Sequence, residues 1–140
     1  MRANIFFLTV LFGLFSSSAR SADWKLVGQS SNYYAHVDTS SIVTQKKYRK
    51  AWVMWSEIEE ESRPSSGSLP IARSSKILSY YNCAEHSSFE AQRTEYDDFF
   101  GRGKSIRSLA FPLSHSGFNE IVPDTVGESV FNYICSIKLK

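Results

Sequence analysis

Cys83 and Cys135 are the only cysteines in the 140 residues, and they place the strongest constraint on the fold. An even number of cysteines in an exported chain reads as a disulfide, and two of them allow one intramolecular pairing. The loop they close is about fifty residues long, for which the chain-entropy account gives about 4 kcal/mol. Total stability of a small domain is about 5–15 kcal/mol, so this bond is a large share of it.

That reading depends on export, and the N-terminal residues supply it. Met1-Arg2-Ala3-Asn4 carries one positive charge, and Ile5 to Phe15 is apolar except for Thr9 and Gly13. The following Ser16-Ser17-Ser18-Ala19-Arg20-Ser21-Ala22 is small and polar apart from Arg20. Basic, then apolar, then small is the order of a secretory signal peptide. Residues 1–21 are therefore expected to be a signal peptide, cleaved after Ala19 or after Ser21, since both sites keep small residues at the last and third-last positions. The apolar run is about half the roughly twenty residues a spanning helix needs. No cysteine lies near the cleavage region, so a lipid anchor is not expected. Residues 22–140 are then a single domain, destined for the periplasm, the cell surface or the medium.

Composition narrows the partners. A formal charge of +2 provides no concentrated basic face for nucleic acid. The hydrophobic share of 42% is enough for a core, and the aromatic share of 14% leaves rings for a recognition surface.

Hydrophobic periodicity gives an α+β reading: about six antiparallel strands and a C-terminal helix. Trp24–Gly28 and Tyr33–Asp38 read as strands separated by a Ser30-Ser31-Asn32 turn, and Asp38-Thr39-Ser40-Ser41-Ile42 reads as a helical turn capped by Asp38. Tyr48–Ile58 is the strongest strand. Ala51, Val53 and Trp55 face one way and Trp52, Met54 and Ile58 the other, so both faces need a cover. Arg63 to Pro70 reads as a loop. Ile71–Cys83, Phe89–Tyr96 and Ser105–Phe111 complete the strands, with Phe99–Gly103 a turn. The period then changes. Val126, Val130, Ile134 and Ile137 share a helical face, Thr125 and Glu128 have capping-box spacing, and Lys138 and Lys140 suit the C-terminal end of the dipole. Cys135 sits beside that stripe, so a bond to Cys83 would pin the helix to the sheet near a strand end.

No motif makes a convincing active site. Cys83-Ala84-Glu85-His86 has a zinc-like spacing but lacks the second ligand pair of a four-ligand site. His36 and Asp38 share a strand face, yet no nucleophile motif accompanies them. Glu95, Asp97 and Asp98 read as a solvated strand end rather than a catalytic carboxylate pair. Gly101-Arg102-Gly103-Lys104 lacks the order of a phosphate loop. No catalytic residue, metal or cofactor is expected. The candidate partner-binding residues are Lys46, Lys47, Tyr48, Arg49 and Lys50, a basic run bearing an aromatic ring that suits an acidic partner. The same run also reads as a solvated hairpin turn.

An ordered set of residues resembles the bacterial surface-adhesin protein E family: Trp24; Tyr34 and Val37-Asp38; Ser41-Ile42; Val53 and Trp55; Ser75-Lys76; Tyr81-Asn82-Cys83; Tyr96; Ile121 to Thr125; and Cys135. Phe118 stands where the family pattern suggests tryptophan, and the lipid-modified cysteine of some adhesins is absent. The resemblance implies an antiparallel sheet with a C-terminal helix held by the disulfide, and it leaves room for a homodimer. It also implies binding of host proteins such as vitronectin, laminin and plasminogen, as by the family's best-known member. The expectation is thus a non-enzymatic, exported, adhesin-like binding module of a Gram-negative envelope. The alternative is a periplasmic structural or assembly factor that meets an envelope protein through a strand edge or sheet face.

Overall fold

The computed structural model describes residues 21–58 and 71–139. The signal-peptide reading of residues 1–20, the loop reading of 63–70 and the role given to Lys140 lie outside the described residues. Among the described residues eight strands form one antiparallel sheet: β1 (Trp24–Gln29), β2 (Tyr33–Asp38), β3 (Val43–Gln45), β4 (Tyr48–Glu57), β5 (Ser74–Asn82), β6 (Ser87–Tyr96), β7 (Ser105–Ala110) and β8 (Asn119–Glu120). Their order is β1-β2-β4-β5-β6-β7, with β3 also on β4 and β8 also on β6. The expected six strands are the six of this path. The two additions are short strands that continue a row already begun: β3 lies on the same side of β4 as β2, and β8 on the same side of β6 as β7.

The break between β2 and β3 has a local cause. Asp38 accepts hydrogen bonds at Oδ1 from the Ser40 N–H, at 3.1 Å, and from the Asp23 N–H, at 2.9 Å. Its carboxylate so caps a single 3-10 turn over Thr39–Ser41, as its position suggests. Chain direction changes there, and Ser41 Oγ then accepts from the Trp52 N–H on β4 at 2.9 Å.

One α-helix, α1 (Val126–Ser136), lies over β1, β2, β4 and β5. Its N-terminus carries the Thr125 half of the expected capping box, while the Glu128 carboxylate reaches one residue further back, to Asp124 rather than to the Thr125 N–H. The Glu128 N–H donates to Thr125 Oγ1 at 3.2 Å, and the Glu128 carboxylate accepts in return from the Asp124 N–H at 2.9 Å. Val130, Phe131 and Ile134 are buried from the helix, and Ala35, Val37, Ala51, Val53 and Tyr81 from the sheet. Ile137 falls just beyond the last helical turn and serves as its C-cap. The Cys83–Cys135 bond joins the end of β5 to the last turn of α1, with the Cα atoms 5.7 Å apart. The helix is thereby held at the strand end that the sequence suggested.

The opposite face of β4 is covered at its two ends by loops. After β6 the chain makes a 3-10 turn, Phe99–Gly101, which packs on β4 and β5. The Phe100 N–H donates to Ser56 Oγ at 3.1 Å and the Gly101 N–H to Ser74 Oγ at 2.8 Å. These two buried serines therefore hold the turn in place without leaving their own hydroxyls unpaired. At the other end, Phe118 from the β7–β8 connection stacks on Tyr48 with ring centroids 4.8 Å apart.

Candidate binding surface

The basic run lies where two loops meet at one end of the sheet. Gln45 pairs with Tyr48, so Lys46 and Lys47 are the two residues of the β3–β4 turn. Lys46 has φ of 56°, a left-handed conformation usually taken by glycine or asparagine. That geometry presents both lysines to solvent. The Lys47 ammonium is 3.6 Å from the Glu85 carboxylate on the β5–β6 loop and 5.4 Å from the Tyr48 ring centroid.

Strand alternation then divides the rest of the run. Tyr48 and Lys50 face away from the helix. The Lys50 ammonium is 5.9 Å from the Tyr80 ring centroid, and Tyr48 meets both Tyr80 and Phe118. Phe89 extends the row, 5.6 Å from Phe118. Lys47 so lies beside Tyr48 and Lys50 beside Tyr80, at a cluster of four rings in which Tyr48 and Phe118 are partly exposed and Tyr80 and Phe89 are buried beneath them, while Lys46 stands exposed in the same turn. Arg49 points to the other face, where its guanidinium donates to the carbonyls of Ile134 and Ile137 at 3.3 and 2.8 Å. It closes the C-terminus of α1 and is apart from the four residues it neighbours in sequence.

Tyr80, Phe89 and Phe118 were not in the sequence-derived group. They come from three other segments; the sequence marks Tyr80 only as a packing residue of its strand, and Phe118 only by its mismatch with the family pattern. Gln45 joins the surface too, accepting from the Tyr80 hydroxyl at 3.3 Å.

The residues weighed for chemistry have structural partners. Cys83 is in the disulfide, and His86 lies against the Phe131 ring, 3.8 Å from the Glu128 carboxylate. Among the described residues, no group of three or more His, Cys, Asp or Glu side chains could hold a metal ion. Asp38 is occupied as the cap described above. His36 sits between Tyr34 and Phe100, at 6.3 and 5.8 Å, and its buried Nδ1 has no hydrogen-bond partner. Burial holds its imidazole below the usual histidine range. Glu95 is gripped by the Arg107 guanidinium through two hydrogen bonds of 2.9 and 2.8 Å, which hold its carboxyl below the usual range. Asp97 Oδ1 accepts from the Lys104 N–H at 2.7 Å, and Asp98 Oδ1 from the Phe99 N–H at 2.7 Å. These acids order a strand end and a turn.

A sequence profile described as Surface-adhesin protein E matches residues 24–136. The chain belongs to the surface-adhesin protein E family. Family membership makes it an adhesin-like surface protein, and the matched span runs from the first strand to the end of α1. Solved structures agree on the fold. Crystal form II of Haemophilus influenzae protein E superposes with a TM-score of 0.55 at 21% identity, covering 84% of this chain and 89% of that one. A selenomethionine form of the same protein gives a TM-score of 0.54 at 22% identity, with coverage of 84% and 88%. A comparison with curated proteins gives no significant match. Among the described residues no helix is long and apolar enough to cross a membrane.

Proposed function

We propose that this surface-adhesin protein E domain is a non-enzymatic binding module that engages a host matrix or plasma protein through the β3–β4 turn. The observation that carries the reading is the partly exposed Tyr48–Phe118 stack with Lys47 beside Tyr48, Lys50 beside the adjoining Tyr80, and Lys46 exposed in the same turn. Rigid aromatic rings are the residues that most often dominate a protein interface, and flanking cations steer an acidic partner and raise its association rate. Export through the signal peptide of residues 1–21, leaving residues 22–140 as the working domain, belongs to this proposal. So does presentation at the cell surface without a lipid anchor. Charge reversal at Lys46, Lys47 and Lys50 together is the test. Binding to immobilised matrix and plasma proteins should weaken by about tenfold or more, with the loss greatest at low salt. Unchanged binding would remove this surface from consideration.

A second reading, a periplasmic assembly factor, is favoured by one specific feature. β7 is the last strand on its side of the sheet, and Leu109 and the following Phe111 and Leu113 are exposed. A strand edge of that kind accepts another strand. Protease treatment of intact cells separates the two readings, with a periplasmic marker as control. Digestion of the protein while the marker survives supports the adhesin. Protection until the outer membrane is opened supports the assembly factor.

A further inference from the structure

Away from the lysine turn, the face that carries α1 has a part the helix does not cover. There Trp55 marks a boundary: it packs against the helix-side core and also lines a cleft of about 140 Å³. Tyr33, Glu57, Arg73, Arg93 and Glu95 line the same cleft. Sheet register explains why they converge. Tyr33 is paired with Glu57 on β4, Trp55 with Ser75, and Ser75 with Glu95, so side chains from β2, β4, β5 and β6 rise on one face.

We propose that this cleft binds one neutral sugar ring. Three observations lead to the ligand class. Two aromatic side chains contribute to it, and Tyr33 is 44% exposed, which leaves ring surface for the C–H face of a pyranose. Among the described residues the charges in the wall cancel, with guanidiniums at Arg73 and Arg93 and carboxylates at Glu57 and Glu95. A charged ligand would meet a like charge as readily as an opposite one, whereas a ring of hydroxyls can donate and accept around the same wall. The polar groups are also held in place beforehand. Arg93 is fixed flat by two hydrogen bonds to the Glu90 carboxylate, at 2.8 and 2.6 Å. Its contact with Glu95 and that of Arg73 with Glu57 are 3.9 Å, longer than a hydrogen bond, so Arg93 and Glu57 keep capacity for a ligand. Size sets the limit at a single ring, because clefts for larger drug-sized ligands run to roughly 300–1,000 Å³.

The site goes beyond the protein-binding reading and stands apart from the lysine turn. NMR titration of the full chain tests it. The probes are methyl glycosides of glucose, galactose and mannose together with N-acetylglucosamine, and glucuronate and glucosamine serve as charged controls. At least one neutral sugar should give saturable shifts at Tyr33, the Trp55 indole and Arg93. Tyr33→Ala and Arg93→Gln should each weaken that binding by about tenfold while the melting temperature stays in place. Charge reversal at Lys46 and Lys47 should leave it unaltered, which keeps failure of this site distinct from failure of the turn. Absence of saturation by every neutral sugar, saturation by the charged controls alone, or affinity indifferent to both substitutions would overturn the proposal.

Discussion

Arg49 on β4 donates through Nη1 to the Ile137 carbonyl at 2.8 Å, and so closes the C-terminal end of a helix that begins 77 residues later, at Val126. The last carbonyls of a helix have no partners of their own, and a cation there also meets the negative end of the dipole. Replacing Arg49 by methionine keeps an apolar stem and removes the donors. Stability should fall by about 1.5–3 kcal/mol, as for a partly buried hydrogen bond from a charged group. Urea unfolding would show a lower midpoint with the slope preserved. Arg49→Lys should recover only part of the loss, because lysine lacks the planar array of donors. An unmoved midpoint in the methionine variant would mean that water replaces the guanidinium at no cost.

The disulfide should matter more. Cys135→Ser frees the last turn of α1 from β5 and lengthens the reach of the unfolded chain, so about 2–5 kcal/mol should be lost. Wild-type protein unfolded under reducing conditions should fall by a similar amount. A melting temperature insensitive to both would show that burial of Val130 and Ile134 holds the helix by itself.

His36 confers a pH dependence whose sign is fixed by the direction of its shift. Its pKa is lowered in the fold, so below about pH 6.5 the unfolded chain takes up a proton that the native imidazole still refuses. Stability should therefore decline as pH falls through that value, and decline no further on this account once the native imidazole is itself protonated. The difference between wild type and His36→Asn, followed by urea unfolding from pH 8 to about pH 5, isolates the effect. Parallel curves would show that His36 is free to protonate where it stands. Glu95 acts lower on the scale. Its pKa is also lowered, so its contribution is complete above the usual carboxylate range and is lost as pH falls through the lowered value.

Gly117 is a packing position. A Cβ built there would lie 2.6 Å from Phe89 Cε2 and 2.8 Å from Phe89 Cδ2. Gly117→Ala should push the Phe89 ring against Phe118 and cost about 1–3 kcal/mol. Thermal unfolding measures the cost, and near-ultraviolet circular dichroism should report the disturbed rings. Combining it with Phe89→Leu should make the alanine far less harmful. Equal cost in both backgrounds would place the clash elsewhere.

These positions differ in how far sequence reveals them. The cap at Asp38, the Thr125 half of the capping box, and the stripe of Val126, Val130 and Ile134 were legible because each depends on residues within one or two turns of chain. β3 was not, since Val43, Thr44 and Gln45 are all exposed and carry no alternation. β6 begins two residues earlier than the pattern suggested, at Ser87, because serines give no signal until they pair with β8. The binding surface was half legible. Lys46, Lys47, Tyr48 and Lys50 fall within five residues of chain, whereas Tyr80, Phe89 and Phe118 reach them only through strand pairing and a long connection. Arg49 looked like a member of that run because sequence alone does not say which face of β4 the helix will take. The cleft beside Trp55 was invisible for the same reason: its wall comes from four strands, and no two of its charged residues in contact are close in sequence except Arg93 and Glu95.

The position of the disulfide has a mechanical consequence. The bond shortcuts 52 residues, so tension applied to the chain beyond Cys135 enters the sheet at Cys83, at the end of β5. The segment between them, which includes β6, β7, β8 and most of α1, lies off the load path and cannot be drawn out while the bond is intact. Strands β4 and β5, paired over eight rungs from Ser56–Ser74 to Arg49–Tyr81, would bear the pull instead. A domain loaded in this way would give only a short extension before rupture, and reduction would release the full length of the shielded loop.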